Sequence, residues 1–192
     1  MSDRPKILAF AGSLREQSFN ARILQVAAEG AAAAGGDVRF LDLRRYPLPV
    51  FDQDLEPDHV PGDVHVIRDM LAGADGFLIA SPEYNASLTA ALKNVIDWAS
   101  RPLGGAAPLV AFRGKVAALC SASPGRLGGL RGLTHLRTIL TTLGVLVLPD
   151  QVGVPQVNTL LDEQGRLADP PTRDRLAALG KSLVGLARRL AI

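Results

Sequence analysis

Residues 12–20 bring together the side-chain types that bind a phosphate group. They include the hydroxyl groups of Ser13 and Ser18, the guanidinium of Arg15 and the amide of Asn20. A phosphate is held by several such donors and by the free N–H groups that begin a helix. The lysine of a P-loop and the Gly-x-Gly-x-x-Gly fingerprint are both absent, so the segment predicts a site for a terminal monophosphate. Helix capping by Ser18 or Asn20 is the alternative interpretation.

A second polar segment, residues 81–87, follows the third apolar run of the chain. Pro82 fixes the backbone, and the amides of Glu83, Tyr84 and Asn85 are suited to contact the edge of a planar ligand. Ser87 is predicted to cap the helix that comes next. A rigid turn leading into that helix is the alternative interpretation.

A third segment, residues 121–129, contains Ser121, Ser123 and Gly125. Small residues allow a ligand to approach the backbone closely, and glycine tolerates the positive φ angles that such loops adopt. Loop flexibility alone would also explain this composition. The joint occurrence of three such segments, each after an apolar run, favours one shared binding site.

Short apolar runs alternate with segments of helical periodicity, which is typical of a parallel sheet with helices on both faces. Runs of this kind are buried on both sides, so they are almost wholly apolar. The five predicted strands are Lys6–Ala11, Val38–Leu43, Gly76–Ser81, Val116–Ser121 and Val145–Leu148. The predicted helices span about Asn20–Ala34, Val64–Ala74, Leu88–Ser100 and Leu133–Leu143, with a last one from about Thr172. Right-handed crossovers then give one doubly wound α/β domain over residues 1–192, with sheet order 2-1-3-4-5.

Three features of this organisation have two interpretations each. The leucines spaced three and four apart after Thr172 fit a core-facing helix, and they also fit a coiled-coil seam. Residues 44–62 form one long irregular segment, which either closes over a site or is a solvated surface loop. Cys120 ends an apolar run and is predicted to be a small core residue and not a nucleophile.

Composition excludes several classes of protein. The 192 residues are 47% apolar and carry 21 basic against 19 acidic side chains, a net charge of +2 without a basic stripe, which argues against nucleic-acid binding. A single cysteine forms no internal disulfide. Neither a secretion signal nor a membrane-spanning run is visible, so we expect a cytoplasmic location without membrane association.

The segments GSLREQSFN, SPEYNASLTAALKNVIDWASR and SASPGRLGGLRGLTHLRTIL resemble those of the NAD(P)H-dependent FMN reductases, a family of flavodoxin-like quinone, azo-dye and chromate reductases. The likeness covers about residues 6–150. It implies a flavodoxin-like three-layer sandwich with FMN as cofactor, NADPH or NADH as electron donor and a small molecule as acceptor. Hydride would pass from the nicotinamide to the flavin and then onward in a ping-pong reaction, with no catalytic residue assigned.

The resemblance also assigns residues to the cofactor. It implies that Ser13, Arg15, Ser18 and Asn20 hold the FMN phosphate and that Pro82, Glu83, Tyr84 and Asn85 lie along the ring system. Ser121, Ser123 and Gly125 would line its other side. The family forms homodimers or homotetramers, so Asn94, Asp97 and Trp98 would face a partner subunit; burial of Trp98 in a single core is the alternative.

Three other functions fit the sequence less well. A flavodoxin-type electron carrier would bind FMN without oxidising NAD(P)H, but flavodoxins are strongly acidic whereas this chain is nearly neutral. A Rossmann-type NAD enzyme would use Asp42 to bind a ribose, but the glycine fingerprint is missing. A metal hydrolase would need clustered ligands, and His59, His65 and His135 lack ligand spacing.

Overall fold

The computed structural model describes residues 4–55, 60–102, 105 and 107–190. Five parallel strands form one sheet in the order β2-β1-β3-β4-β5, which confirms the predicted topology. The strands are β1 (Lys6–Ala11), β2 (Asp37–Leu41), β3 (Gly76–Ala80), β4 (Val116–Ala122) and β5 (Leu146–Val154). The helices are α1 (Phe19–Ala33), α2 (Gly62–Ala72), α3 (Ala90–Ala99), α4 (Leu130–Thr142) and α5 (Pro170–Leu190).

Two hydrophobic layers cover the sheet, as the sequence predicts for a three-layer sandwich. One layer packs α1 and α5 on one face, and it includes Cys120. Burial raises the pKa of the Cys120 thiol to about 12, so this residue belongs to the core, as predicted. The other layer packs α2, α3 and α4 on the opposite face.

Helices α1 and α5 cross in backbone contact. A Cβ atom on Gly30 would lie 2.3 Å from the carbonyl oxygen of Ala177, and one on Gly180 would lie 2.0 Å from that of Ala27. Leu176, Leu179 and Leu183 are buried at this contact, so the leucines of α5 face the core and do not form a free coiled-coil seam.

Two strand ends differ from the prediction by more than one residue. Strand β2 ends at Leu41 and not at Leu43, because the Asp42 side chain accepts a bond from Arg44 N (3.1 Å) and begins a short 3-10 helix, Leu43–Arg45. Strand β5 continues to Val154 through Pro149 and Asp150, a proline and a charged residue that resemble a loop in the sequence. Proline is tolerated there because β5 is an edge strand.

Candidate functional site

The carboxyl ends of β1, β3 and β4 meet at one edge of the sheet, because these strands are neighbours. The segments that follow them are called the first loop (residues 12–18), the second loop (81–89) and the third loop (123–129). A backbone bond ties each of the first two loops to the neighbouring strand: Gly12 N donates to Ala80 O of β3 (2.9 Å), and Ser81 N donates to Cys120 O of β4 (3.0 Å). The three polar segments found in the sequence therefore lie side by side.

The first loop combines exposed donors with a helix N-terminus. Ser18 is the N-cap of α1, and its side chain accepts a bond from Ala21 N (3.3 Å). Ser13 is partly exposed and its hydroxyl accepts from Arg15 N (3.3 Å), while the Arg15 side chain is exposed. The opening N–H groups of α1 have no acceptor within the helix. This donor set fits a phosphate, whereas the Ser18 side chain already serves as the cap.

Asn20 is turned away from this donor set. Its side chain is buried, with Nδ2 donating to Ala122 O (2.9 Å) and Oδ1 accepting from Ala122 N (3.0 Å). The amide therefore ties the start of α1 to the end of β4. A contribution of Asn20 to phosphate binding would have to come from its backbone N–H and not from its side chain.

A buried threonine connects the first loop to α3. The hydroxyl of Thr89 donates to Gly12 O (2.5 Å) and accepts from Leu92 N (3.2 Å), which makes Thr89 the N-cap of α3. The prediction that Ser87 caps this helix is wrong. Ser87 lies in the preceding turn, where its backbone is bonded to Tyr84. Serine and threonine are both favoured N-cap residues, so residue type alone did not decide between Ser87 and Thr89.

The second loop turns sharply and presents two side chains to solvent. Tyr84 N donates to Ser87 O (2.9 Å) and Ser87 N donates to Tyr84 O (3.1 Å). Between them Asn85 and Ala86 adopt φ angles of 51° and 64°, in the left-handed region. Pro82 is buried beneath this turn, whereas Tyr84 is 51% exposed and Asn85 is also exposed.

Glu83 points to α4 and not to the open rim. Its carboxylate accepts bonds from Arg131 N (3.0 Å), Gly132 N (3.3 Å) and Arg131 Nε (2.7 Å), and it also pairs with Arg131 Nη2. Burial alone would raise the pKa of Glu83, but the hydrogen bonds from Arg131 and Gly132 outweigh burial and lower it. The carboxylate is therefore ionised and engaged within the protein.

The end of β4 and the third loop that follows it are closely packed, whereas the tip of that loop is open. Ser121 is fully buried, and its hydroxyl finds no hydrogen-bond partner among the described residues. Gly129 covers it with a φ angle of 83°, and a Cβ on Gly129 would lie 1.8 Å from Ser121 Oγ. Ser123 Oγ accepts from Gly125 N (3.0 Å), and Gly125 is exposed. Ser123 and Gly125 are thus nearer the open rim than Ser121.

A cavity of about 680 Å³ adjoins the second loop, between α3 and α4. Tyr84, Asn85, Lys93 and His135 are among the residues that line it. His135 Nδ1 lies 3.0 Å from the hydroxyl oxygen of Ser87. Apolar surface dominates the lining, so the cavity is suited to a largely apolar group placed next to the rim.

The described part of the long segment 44–62 packs against α3. Trp98 is fully buried, and its Nε1 donates to Pro49 O (2.9 Å) while its ring meets that of Phe51 edge-on at 5.0 Å. Asn94 donates to Pro49 O (2.8 Å) and accepts from Phe51 N (2.8 Å). Asp97 pairs with Lys93 at 2.8 Å. Trp98 and Asn94 are thus held within their own chain, and burial of Trp98 is the interpretation that the structure supports.

The residues that a Rossmann-type NAD enzyme or a metal hydrolase would use do not form such a site among the described residues. The Asp42 carboxylate binds the Arg44 guanidinium at 2.7 Å, and this bond lowers the pKa of Asp42. His59 lies outside the described residues, and within the described ranges no group of three His, Cys, Asp or Glu side chains is placed to hold a metal ion. Across the same ranges, every helix is too short or too polar to span a bilayer.

The sheet order 2-1-3-4-5, with helices on both faces, defines a flavodoxin-like α/β protein. The sequence also identifies the family. The family model of the NADPH-dependent FMN reductases matches residues 5–159, and the chain belongs to that family. The predicted class of enzyme and its use of FMN and NAD(P)H are thereby confirmed.

Relatives with known names match along nearly the whole chain. An NAD(P)H-dependent FMN reductase of Pseudomonas aeruginosa is 38% identical over 191 residues, 99% of each chain. A quinone reductase of Escherichia coli K12 is 31% identical, with 92% of each chain covered. Among solved structures, the flavoenzyme NAD(P)H:(acceptor) oxidoreductase FerB of Paracoccus denitrificans has a TM-score of 0.79 at 27% identity, covering 96% of this chain and 98% of its own.

Proposed function

We propose that this chain binds FMN at the rim of the three loops and transfers electrons from NAD(P)H through FMN to a quinone or a similar small acceptor. Azo compounds and metal oxyanions are further acceptors of this kind. The exposed donor set of the first loop, at the N-terminus of α1, is the observation that carries the proposal. Residues 1–192 would form a single domain for this reaction.

Each loop has its own task in this proposal. Ser13, Arg15 and the opening N–H groups of α1 hold the phosphate, with Ser18 capping the helix behind it. The backbone around Tyr84 and Asn85 lies along the ring system, and Ser123 and Gly125 bound its other side. Bound FMN supplies hydride acceptance and donation, and the protein supplies position and charge. We assign no side chain as a general base.

A ping-pong order follows if the donor and the acceptor occupy the same open face in turn. The cavity beside Tyr84 adjoins that face and has the apolar lining that a quinone would contact. Double-reciprocal plots at several fixed acceptor concentrations are expected to be parallel. Intersecting lines would contradict the shared face while leaving FMN binding intact.

The flavodoxin-type electron carrier is the alternative function that shares this fold. An archaeal flavodoxin covers 95% of this chain with a TM-score of 0.61 at 10% identity, so the fold is common to both functions. The net charge of +2 and the family membership support the reductase. A homodimer or homotetramer and a cytoplasmic location belong to the same proposal, to be tested by sedimentation and by cell fractionation.

The deciding experiment is an absorption spectrum of the purified protein after incubation with FMN and desalting, followed by anaerobic addition of NADPH and, separately, NADH. We expect a retained flavin band that bleaches with one of the two donors and returns when a quinone is added. A retained band that neither donor bleaches would favour the electron carrier. Loss of all flavin on desalting would contradict the proposed site.

A further inference from the structure

Helix α4 begins without a capping side chain of its own. Its N-cap is Gly129, which has no side chain to accept the first N–H groups of the helix. The N–H groups of Arg131 and Gly132 instead donate to the carboxylate of Glu83. Glu83 lies 48 residues before Arg131 in the chain. The acceptor thus comes from the second loop, so one carboxylate joins the second loop to the start of α4.

This contact is tight on both sides. The Glu83 side chain is only 8% exposed, while the Arg131 side chain that pairs with it is 58% exposed. A Cβ on Gly132 would lie 3.1 Å from Ser87 O and 3.4 Å from the Cβ of Glu83, so the second loop rests directly on the first turn of α4. A negative charge at this end of a 13-residue helix is also favoured by the helix dipole.

We propose that Glu83 is a positioning residue for the flavin ring and not a ligand of it. Its carboxylate, Arg131 and the N–H groups of Arg131 and Gly132 form what we call the Glu83 latch. The latch fixes the second loop against α4, so that Tyr84 and Asn85 stay exposed at the rim in the orientation the ring requires. The inference rests on the proposed function, because it takes FMN as the ligand of that rim.

The Glu83 latch would act on the ring end of the cofactor, so its loss should affect flavin affinity in a way that a change at the phosphate end would not. Without the latch, the second loop would spend less time in the competent orientation, and the apparent affinity would fall by the same fraction. That loss should be equal for FMN and for riboflavin, which carries the same ring without the phosphate. A change in the first loop should instead affect FMN alone.

The test compares dissociation constants of FMN and riboflavin, measured by flavin fluorescence, for the wild type, Glu83→Ala, Glu83→Gln, Arg131→Ala and the double variant Glu83→Ala/Arg131→Ala. We expect Glu83→Ala to weaken both flavins about tenfold, the scale of one charge-assisted hydrogen bond. Arg131→Ala should weaken both by less, and the double variant should be no weaker than Glu83→Ala alone. Asp37→Asn, which breaks an exposed pair with Arg39 at the amino-terminal end of β2, opposite the loops, is the control and should change neither constant.

Unchanged flavin affinities in Glu83→Ala, or a loss confined to FMN, would overturn the latch. Additive effects in the double variant would also overturn it, because they would mean that the two side chains act separately. Thermal unfolding is recorded for every variant, and if Glu83→Ala does not fold, Arg131→Ala decides the question, since its exposed side chain is dispensable for folding. Failure of the wild type to bind either flavin would instead contradict the proposed function itself.

Discussion

The first and second loops lie next to each other at the same rim, yet they use the charged side chains Arg15 and Glu83 in opposite ways. In the first loop, Arg15 is exposed and Ser13 is partly so. In the second loop, the charged residue Glu83 is committed to α4. The comparison teaches that a polar side chain in a binding segment is a candidate ligand only if the fold leaves it free, and that the second loop offers backbone and orientation instead.

The largest expected effect on stability comes from Gly129, at the end of the third loop. Gly129→Ala should lower the free energy of unfolding by about 3 kcal/mol or more, because the new methyl group meets Ser121 Oγ and because alanine is strained at this φ. Urea denaturation measures it. Gly185→Ala, in open space on α5, is the control and should not destabilise. Adding Ser121→Gly should recover part of the loss; no recovery would mean that the clash is not the cause.

Arg15→Ala should separate the phosphate end from the ring end. Loss of a charge-assisted bond is expected to weaken FMN about tenfold to a hundredfold, with riboflavin binding and the melting temperature unchanged. Fluorescence titration of both flavins gives the answer. Arg175→Ala, another exposed arginine, serves as the comparison and should leave both affinities alone. Equal losses for FMN and riboflavin would remove Arg15 from the phosphate site.

Thr89→Val tests the link between the first loop and α3. Valine fills the same volume but leaves Gly12 O without its donor and the helix without its cap, so the free energy of unfolding should fall by about 1 to 2 kcal/mol. Thr138→Val, whose exposed hydroxyl bonds only to Thr134 O along α4, should cost much less. Similar costs for the two variants would show that the Thr89 bonds contribute little to stability.

Acid should loosen the second loop through Glu83. The pKa of Glu83 is lowered in the folded protein, so its contribution to stability is present above the unfolded pKa and is lost as pH falls through the folded one. The stability advantage of the wild type over Glu83→Gln should therefore shrink as the pH falls below 4.5, the ordinary pKa of a glutamate, and through the lowered pKa of Glu83. Urea denaturation across this range measures the difference, and a constant difference would contradict the lowered pKa.

The sheet was predictable because its signal is local. The strands β1, β3 and β4 are buried on both faces, so each can be recognised in the sequence from its own apolar residues. Their order in the sheet follows from the rules for crossovers. The extension of β5 through Pro149 and Asp150 could not be predicted from the sequence, because an edge strand tolerates residues that elsewhere indicate a loop.

The candidate site was predictable in position but not in the use of its side chains. The three loops follow from the sheet order, and the donors of the first loop from residue type. The partners of Glu83 and Asn20 lie 48 and 102 residues away, and no pattern along the chain indicates such pairings. The same holds for Ser121, whose burial under Gly129 depends on a backbone angle eight residues later.

The crossing of α1 and α5 also bears on how the chain matures during synthesis. Gly30 and Gly180 are 150 residues apart, so the layer that they hold together closes only after most of the chain has left the ribosome. Until then the face of α1 that carries Ala27 and Ala31, which Gly180 meets in the folded chain, lacks its cover. A nascent chain that stalls before Pro170 would therefore expose this face to chaperones and to aggregation.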